Sequence, residues 1–234
     1  MHLALRSAID QPDFSPEPYS LHYQRSLYSS LTSLVRSNFD LLKKQLKGLP
    51  EQVRREGEEV LAMRGDVLTK FKDIFKHKID TLKIRTHGDY HLGQVLFDGK
   101  DFFIIDFEGE PARSFSERRL KRSALRDVAG MIRSLHYAAY SALFKQQTVR
   151  REDTTYLEQM AEQWFHYASG FYMHAYLSVT AGSDILPTKH EDLQILMDTF
   201  LLEKAVYELG YELNNRPDKV MIPLRGIKHI MKGR

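Results

Sequence analysis

The sequence predicts a mainly helical α+β fold, and two observations support that prediction. Apolar residues recur at the spacing of an amphipathic helix in five stretches, residues 21–46, 51–77, 125–144, 152–179 and 191–213. Between the second and third stretches, the short apolar runs 95–97 and 102–105 flank Asp98-Gly99, a dipeptide typical of hairpin turns. We therefore expect packed helices and one small β-hairpin.

The predicted elements differ in regularity. The segment 1–20 holds three prolines and few apolar anchors, so we expect it to be irregular. The stretch 125–144 is the most regular of the five, and we expect a central, buried helix there, beneath the polar loop that precedes the hairpin. Residues 182–187 separate the last two helices, and residues 216–234 are expected to form a short, basic closing segment.

Composition excludes several classes of protein. The chain has 234 residues and 42% hydrophobic content, enough for one sizeable core or two small ones. It has no cysteine, which rules out disulfides and thiolate zinc sites and suits a reducing cytoplasm. Neither a membrane-spanning apolar run nor a signal peptide is visible. The 34 Lys and Arg against 31 Asp and Glu give a net charge of +3, without the concentrated basic face of a nucleic-acid binder.

A polar loop and the end of an apolar strand carry the chemistry. Residues 86–94 form a glycine-punctuated loop, THGDYHLGQ, that contains Asp89 and Gln94. Asp106 follows the second strand of the predicted hairpin. Folding the hairpin would carry these three side chains toward one end of a small sheet. Carboxylate and amide oxygens are hard ligands that suit Mg²⁺ and phosphate chemistry.

Two kinds of chemistry fit this loop. An Asp, an amide five residues later, and an Asp after an apolar strand follow the order of a kinase catalytic loop and its metal-binding Asp. The rival is a zinc hydrolase, because His87, Asp89 and His91 alternate and would share one face of a strand. Gly88 and Gly93 favour a loop over a straight strand, and they therefore favour phosphoryl transfer.

Four blocks of the chain, HGDYHLGQVL, IIDFEGEPARSFSERR, SALRDVAGMIRSLHYAAY and LLEKAVYELGYELNNRPD, resemble the maltokinases, particularly those fused to trehalose synthase. That family lies in the aminoglycoside-phosphotransferase branch of the kinase-like superfamily. The resemblance implies the C-terminal lobe of that fold, with a small catalytic hairpin. Residues 1–20 would be the connector from an N-terminal lobe, and residues 21–234 the lobe itself, with its catalytic loop at 86–94 and its metal-binding strand end at 104–110.

The N-terminal lobe is expected to be absent from this chain. No glycine-rich loop followed by a strand lysine precedes His87. The resemblance implies transfer of the ATP γ-phosphate to the anomeric hydroxyl of maltose, giving maltose 1-phosphate, with Mg²⁺ as cofactor. Most ATP contacts would belong to the missing lobe. We therefore expect the chain alone to have little or no kinase activity.

The resemblance also assigns roles to individual residues. Asp89 would be the base that orients the sugar hydroxyl, while Gln94 and Asp106 would bind Mg²⁺. His87 and Asp127 would support the loop. The remaining assignments are substrate contacts, made by Glu108, Lys204, Tyr207 and Tyr211. The last three recur at helical spacing, and tyrosines combine an aromatic face with a polar tip that suits a sugar.

Two other functions remain open. The chain could be a non-catalytic interaction lobe that docks on trehalose synthase, although a pure scaffold would not need Asp89, Gln94 and Asp106. It could also be a small-molecule kinase for another hydroxyl acceptor, such as an aminoglycoside or choline. The block Asp-Phe-Glu-Gly-Glu-Pro and the helix with Lys204 speak against those acceptors.

Overall fold

A computed structural model of the chain describes residues 1–145 and 153–233. The molecule is mainly helical with a few short strands, which confirms the predicted fold class. Its contacts define two compact units, one of Met1–Glu17 and Lys83–Leu186, the other of Pro18–Leu82 and Pro187–Arg234. The boundary expected after residue 20 from the family resemblance stays a prediction. In the described part of the chain, no helix has the length and apolarity that a bilayer crossing requires.

The first unit contains the predicted hairpin and the most regular helix. Its helices are α1 (His2–Ser7), α5 (Phe115–Arg118), α6 (Leu125–Lys145) and α7 (Thr154–Thr180). Helix α6 packs along α7 and buries Leu125, Val128 and Ile132, so the expectation of a buried helix at 125–144 is confirmed. The strand pair β1 (Glu17–Pro18) and β2 (Leu82–Lys83) lies where the chain passes from one unit to the other.

The hairpin forms as predicted. Strands β3 (Val95–Phe97) and β4 (Phe102–Ile104) pair antiparallel, with Val95 opposite Ile104. The Asp98 carboxylate accepts hydrogen bonds from the backbone N–H groups of Lys100 (2.9 Å) and Asp101 (2.8 Å), which closes a four-residue turn. This is the local side-chain bonding that makes aspartate a turn former. Because the turn fixes the register, it also fixes what lies at the open end of the strands.

The second unit is a helical assembly. It contains α2 (Leu21–Gln45), α3 (Glu51–Ala62), α4 (Arg64–Lys72), α8 (His190–Asn215) and α9 (Met221–Lys232). Its core is aliphatic and aromatic, with Phe39 on α2 and Phe200 on α8 almost fully buried. Helix α2 packs along α8, and the Asn38 amide donates a hydrogen bond to the Val206 carbonyl at 2.8 Å. Short 3₁₀ turns lie at 46–48, 73–75 and 217–219.

Three elements differ from the sequence predictions. The stretch 51–77 is not one helix. The backbone at Met63 (φ −77°, ψ 0°) departs from ideal helical values, and the turn there separates α3 from α4. The closing segment contains α9, which buries Ile222, Leu224 and Ile227; Pro223 lies in its first turn, where proline is tolerated. The segment 1–20 begins with α1 rather than an irregular stretch.

The aromatic residues of α7 are divided between the interior and the surface. Phe165 is 6% exposed, whereas Trp164 is 49% exposed. Tyr167 and Phe171 are also exposed. The reason is that α7 packs against α6 along one side, and its aromatic residues extend beyond that side.

Candidate active site

The imidazole of His87 ties the predicted catalytic loop to the end of β4. Its Nδ1 accepts a hydrogen bond from the backbone N–H of Asp89 (3.3 Å), and its Nε2 donates to the carbonyl of Ile105 (2.8 Å). The ring is 1% exposed and lies between the rings of Tyr90 and Phe107, with centroids 5.5 Å and 4.8 Å away. One buried ring therefore separates the backbone of Asp89 from the residue that precedes Asp106.

The hairpin register brings Gln94 beside Asp106. The backbone N–H of Ile105 donates to the carbonyl of Gln94 at 3.0 Å, one step beyond the Val95–Ile104 pair. The Gln94 side-chain amide then donates to Asp106 Oδ2 at 2.8 Å. This bond leaves the amide oxygen of Gln94 and Oδ1 of Asp106 as hard oxygen donors on neighbouring side chains. Two such ligands fit Mg²⁺, which keeps several waters and takes its other ligands from phosphates.

The backbone of Asp106 is left-handed, with φ of +63°, unlike that of any other non-glycine among the described residues. A left-handed conformation costs an L-residue about 1–2 kcal/mol, although Asp and Asn tolerate it better than most. The side chain is exposed, so burial does not account for the conformation. Such outliers concentrate at functional sites, where the surrounding structure holds the strain.

A zinc site of the hydrolase type does not fit this loop. Within residues 1–145 and 153–233, no three or more His, Asp or Glu side chains are arranged to hold a metal ion. Both ring nitrogens of His87 are engaged with backbone atoms. His91 Nε2 lies 3.7 Å from Asp89 Oδ2, while its Nδ1 accepts from the Gly93 N–H at 3.0 Å. His91 therefore orients the loop and flanks Asp89, a role that its sequence pattern did not indicate.

Helix α6 supports the loop from below with three residues on one face. Asp127 accepts hydrogen bonds from the backbone N–H groups of His87 (2.7 Å) and Gly88 (3.0 Å). Ser134 Oγ accepts from the N–H of Leu92 at 2.9 Å. Between them, Gly130 lies so close to the carbonyl of Tyr90 that a Cβ at that position would be 2.7 Å from the oxygen. The small residue thus admits the loop backbone.

Tyrosines surround the buried carboxylate of Asp127. Burial, reinforced by the charge of Asp127, raises the pKa of the Tyr90 hydroxyl. Burial also raises the pKa of Tyr172 and Tyr176 on α7 well above the ordinary range, with Asp127 adding to both effects. These hydroxyls remain protonated at neutral pH, so they can donate hydrogen bonds in this interior.

A close backbone contact joins the loop to the turn after Asp106. Gly88 has φ of +88°, and a Cβ there would lie 3.1 Å from the Cα of Gly109, itself at φ +79°. Both positions therefore favour glycine on conformational and steric grounds. Glu108, a predicted substrate contact, is exposed in this turn. It is thus placed near Asp106 in the chain, with its side chain open to solvent.

The other predicted sugar contacts belong to the second unit. Lys204, Tyr207 and Tyr211 lie on α8, and the Lys204 ammonium is 5.3 Å from the centre of the Tyr207 ring. The Tyr211 ring, which is 44% exposed, packs on the guanidinium of Arg216 at 5.1 Å. Their common direction on the helix, expected from spacing, is seen for Lys204 and Tyr207. Their role in binding sugar stays a prediction.

The basic residues of the run 118–122 form hydrogen bonds and ion pairs within the first unit. Arg118 donates to the carbonyls of Arg113 (2.9 Å) and Pro111 (2.8 Å). Arg119 pairs with Asp13 at 2.7 Å, and Lys121 pairs with Glu17 at 3.0 Å. These contacts hold the loop that follows Asp106.

Replacing Gly130 with alanine tests the support that α6 gives to the loop. A methyl group 2.7 Å from a backbone oxygen forces the loop to move, so we expect the free energy of unfolding to fall by about 1–3 kcal/mol, the usual cost of overpacking. Urea denaturation measures the change. The matched control is Gly170→Ala on α7, where no atom lies within 4 Å of the added Cβ. There we expect a gain of about 0.5–1 kcal/mol from the better helix former. Equal effects at the two positions would contradict the close contact.

Comparison with known proteins finds sugar kinases. A glucosamine kinase of Streptacidiphilus jiangxiensis is 26% identical over 142 residues, which cover 60% of this chain and 30% of that protein. A glucosamine kinase of Mycolicibacterium smegmatis is 43% identical over 56 residues, 24% of this chain and 14% of that protein. No protein-family profile matches the chain.

Solved structures extend the likeness to nearly the whole chain. A glucosamine kinase in complex with glucosamine, ADP and inorganic phosphate superposes with a TM-score of 0.72 at 20% identity, over 93% of this chain and 49% of that one. Crystal form A of a glucosamine kinase gives a TM-score of 0.73 at 21% identity, over 97% of this chain and 49% of that one. The chain shares its fold with about half of each of these structures. It spans about half the length of these solved structures and less than a third of the curated relatives.

Proposed function

We propose that this chain supplies the catalytic and sugar-binding part of an ATP-dependent sugar kinase. The observation that carries the proposal is the pairing of Gln94 with Asp106, one buried imidazole away from the backbone of Asp89. That arrangement supports a metal-binding pair beside a carboxylate base, the two parts that phosphoryl transfer needs from this lobe. Named sugar kinases among its relatives and structural neighbours support the same reaction class.

In this mechanism the Asp89 carboxylate orients the acceptor hydroxyl and accepts its proton. The hydrogen bonds of His87 and Asp127 hold the loop backbone, so Asp89 needs little rearrangement when substrate arrives. Gln94 and Asp106 would hold Mg²⁺ through their remaining oxygens. The ion, when bound, neutralises charge on the transferring phosphoryl group. Most contacts to ATP would come from a nucleotide-binding lobe outside this chain.

Two acceptors follow from different observations. Maltose, phosphorylated at its anomeric hydroxyl, is the acceptor implied by the four sequence blocks that resemble maltokinases. Glucosamine is favoured by the names of the curated relatives and of the solved structures. The two differ in charge, since glucosamine carries an ammonium group. A docking role on trehalose synthase is less well supported, because a pure scaffold would not need Gln94 and Asp106 side by side.

The test is a measurement of ADP formation with ATP, Mg²⁺ and one acceptor at a time: maltose, glucosamine, an aminoglycoside or choline. The chain is assayed alone and together with the separately expressed nucleotide-binding half of a glucosamine kinase. We expect sugar-dependent ADP formation in the combined reaction and little in the chain alone. NMR of the product places the phosphate. Turnover with choline or the aminoglycoside but neither sugar would overturn the sugar assignment. Failure of every acceptor, with trehalose synthase co-purifying, would favour the docking role.

A further inference from the structure

His2, near the beginning of α1, is buried against the carboxylate that supports the catalytic loop. Its side chain is 3% exposed, and its Nε2 lies 3.0 Å from Asp127 Oδ2. On the other side of the ring, Nδ1 lies 2.9 Å from the hydroxyl of Tyr176 on α7. A polar side chain with hydrogen bonds from both ring nitrogens has one orientation in this interior. The contact joins residues 125 positions apart in sequence.

The direction of these hydrogen bonds follows from chemistry. A carboxylate has no proton to donate, so His2 Nε2 carries the hydrogen and donates it to Asp127. In the neutral ring Nδ1 is then an acceptor, and the Tyr176 hydroxyl donates to it. Burial, reinforced by Asp127, raises the pKa of Tyr176, which keeps that hydroxyl protonated and able to donate. The Tyr176 hydroxyl therefore donates to His2, and His2 in turn donates to Asp127.

Asp127 connects the His2 ring to the backbone of the loop through hydrogen bonds. Oδ2 is shared between His2 Nε2 and the backbone N–H of His87, while Oδ1 accepts from the N–H of Gly88. The next residue is Asp89. If the carboxylate rotated about its χ angles, both backbone N–H groups would lose their acceptor, and the one at His87 is in a buried residue, where such a loss is costly. His2 is the third hydrogen-bond partner of this carboxylate, and by fixing the carboxylate it also fixes the loop.

We propose that His2 is a positioning residue for the catalytic loop, acting through Asp127, and that Tyr176 sets the orientation of the His2 ring. Helix α1 is thereby coupled to the segment that carries Asp89. The effect on turnover rests on the proposed sugar kinase function. The effect on the loop backbone does not, because it concerns hydrogen bonds that are present without substrate.

Two substitutions at position 2 separate hydrogen bonding from packing. His2→Leu keeps a side chain of comparable size but removes the donor to Asp127. His2→Gln keeps an N–H donor near the position of Nε2. Amide hydrogen exchange at His87 and Gly88 is the readout, because these two N–H groups donate to Asp127. We expect exchange at least tenfold faster in His2→Leu and within about threefold of the original chain in His2→Gln, a difference that corresponds to about 1.4 kcal/mol per tenfold.

Arg6→Ala is the matched control on the same helix. Arg6 also ties α1 to a distant residue, through two hydrogen bonds to Asp184, but it has no contact with Asp127. We expect no change in exchange at His87 and Gly88. If Arg6→Ala accelerates exchange there as much as His2→Leu does, α1 acts by general packing and the proposal is overturned. Unchanged exchange in His2→Leu would overturn it as well.

Tyr176→Phe covers the case in which His2→Leu fails to fold. It leaves His2 in place and removes only the donor to Nδ1, so we expect a smaller acceleration of exchange, about threefold, at His87 and Gly88. If exchange is not accelerated, Tyr176 has no part in the proposal. If His2→Leu is also unfolded, exchange rates unchanged from the original chain in both Tyr176→Phe and Arg6→Ala would overturn the proposal.

The sugar kinase assay adds a second readout. In the combined reaction we expect His2→Leu to lower kcat at least tenfold with KM for the sugar changed less than threefold, and His2→Gln to restore most of kcat. Positioning of a loop predicts this split, since the sugar contacts are not altered. Absence of turnover in the unsubstituted chain would count against the proposed function, and the exchange measurement would still decide the role of His2.

Discussion

Replacing Asp89 with asparagine is expected to lower the turnover of sugar phosphorylation by about 10²- to 10⁴-fold, the usual contribution of a positioned general base. Asparagine has nearly the same shape, but its amide cannot accept the proton of the acceptor hydroxyl. The Asp89 side chain is 17% exposed, so the substitution leaves no deeply buried group without a partner. We therefore expect the melting temperature to change little while activity is lost.

The measurement compares initial rates of ADP formation in the combined reaction at saturating sugar and Mg²⁺-ATP. Asp101→Asn is the matched control, because Asp101 is an exposed aspartate of the same unit in the hairpin turn. We expect its rate to stay within twofold of the original. Asp89→Asn with more than a tenth of the original rate would remove Asp89 from the role of base, whichever sugar is phosphorylated.

The second large effect concerns stability. Asp127→Ala is expected to lower the free energy of unfolding by about 3–5 kcal/mol, because each donor left without its acceptor in the interior costs about 1–3 kcal/mol. The carboxylate is 2% exposed and is the acceptor for His2, His87 and Gly88, so its loss leaves three donors without their acceptor, two of them in buried residues. Such a loss is a large part of the stability of a typical domain.

Urea denaturation, followed by circular dichroism, measures this change through the midpoint at constant slope. Asp98→Ala provides the control, because Asp98 also accepts two backbone hydrogen bonds but does so at an exposed turn, where water can replace it. We expect a much smaller loss there. Comparable losses at the two positions would show that the donors facing Asp127 find other partners.

Local signals allowed the hairpin, and the contact between Gln94 and Asp106, to be predicted from sequence. Asp98-Gly99 specifies a turn, the turn fixes the register, and the register brings Gln94 and Asp106 together. The regular apolar spacing of 125–144 likewise identified the buried helix. These predictions concern residues that are close in the chain, where spacing determines geometry.

The features that the sequence did not predict are contacts between distant residues and a helix that contains a proline. The sequence around His2 does not indicate that its ring contacts Asp127. The two residues are 125 positions apart, and the folding of the segment between them brings them together. The sequence also does not indicate that Gly130 admits the loop backbone, because helical spacing does not show what packs against a helix. Helix α9 was not predicted in the closing segment; it contains Pro223, but a proline in the first turn breaks no helical hydrogen bond.

The left-handed backbone of Asp106 limits which replacements can be used to probe metal binding. Alanine would remove the carboxylate and add conformational cost at once, so a weaker response to Mg²⁺ would have two causes. Glycine would relax the turn and free Gln94 from its neighbour. Asparagine shares the tolerance of aspartate for positive φ and keeps an oxygen acceptor for Gln94. It is therefore the substitution that changes charge alone, and the one suited to trapping substrates without turnover.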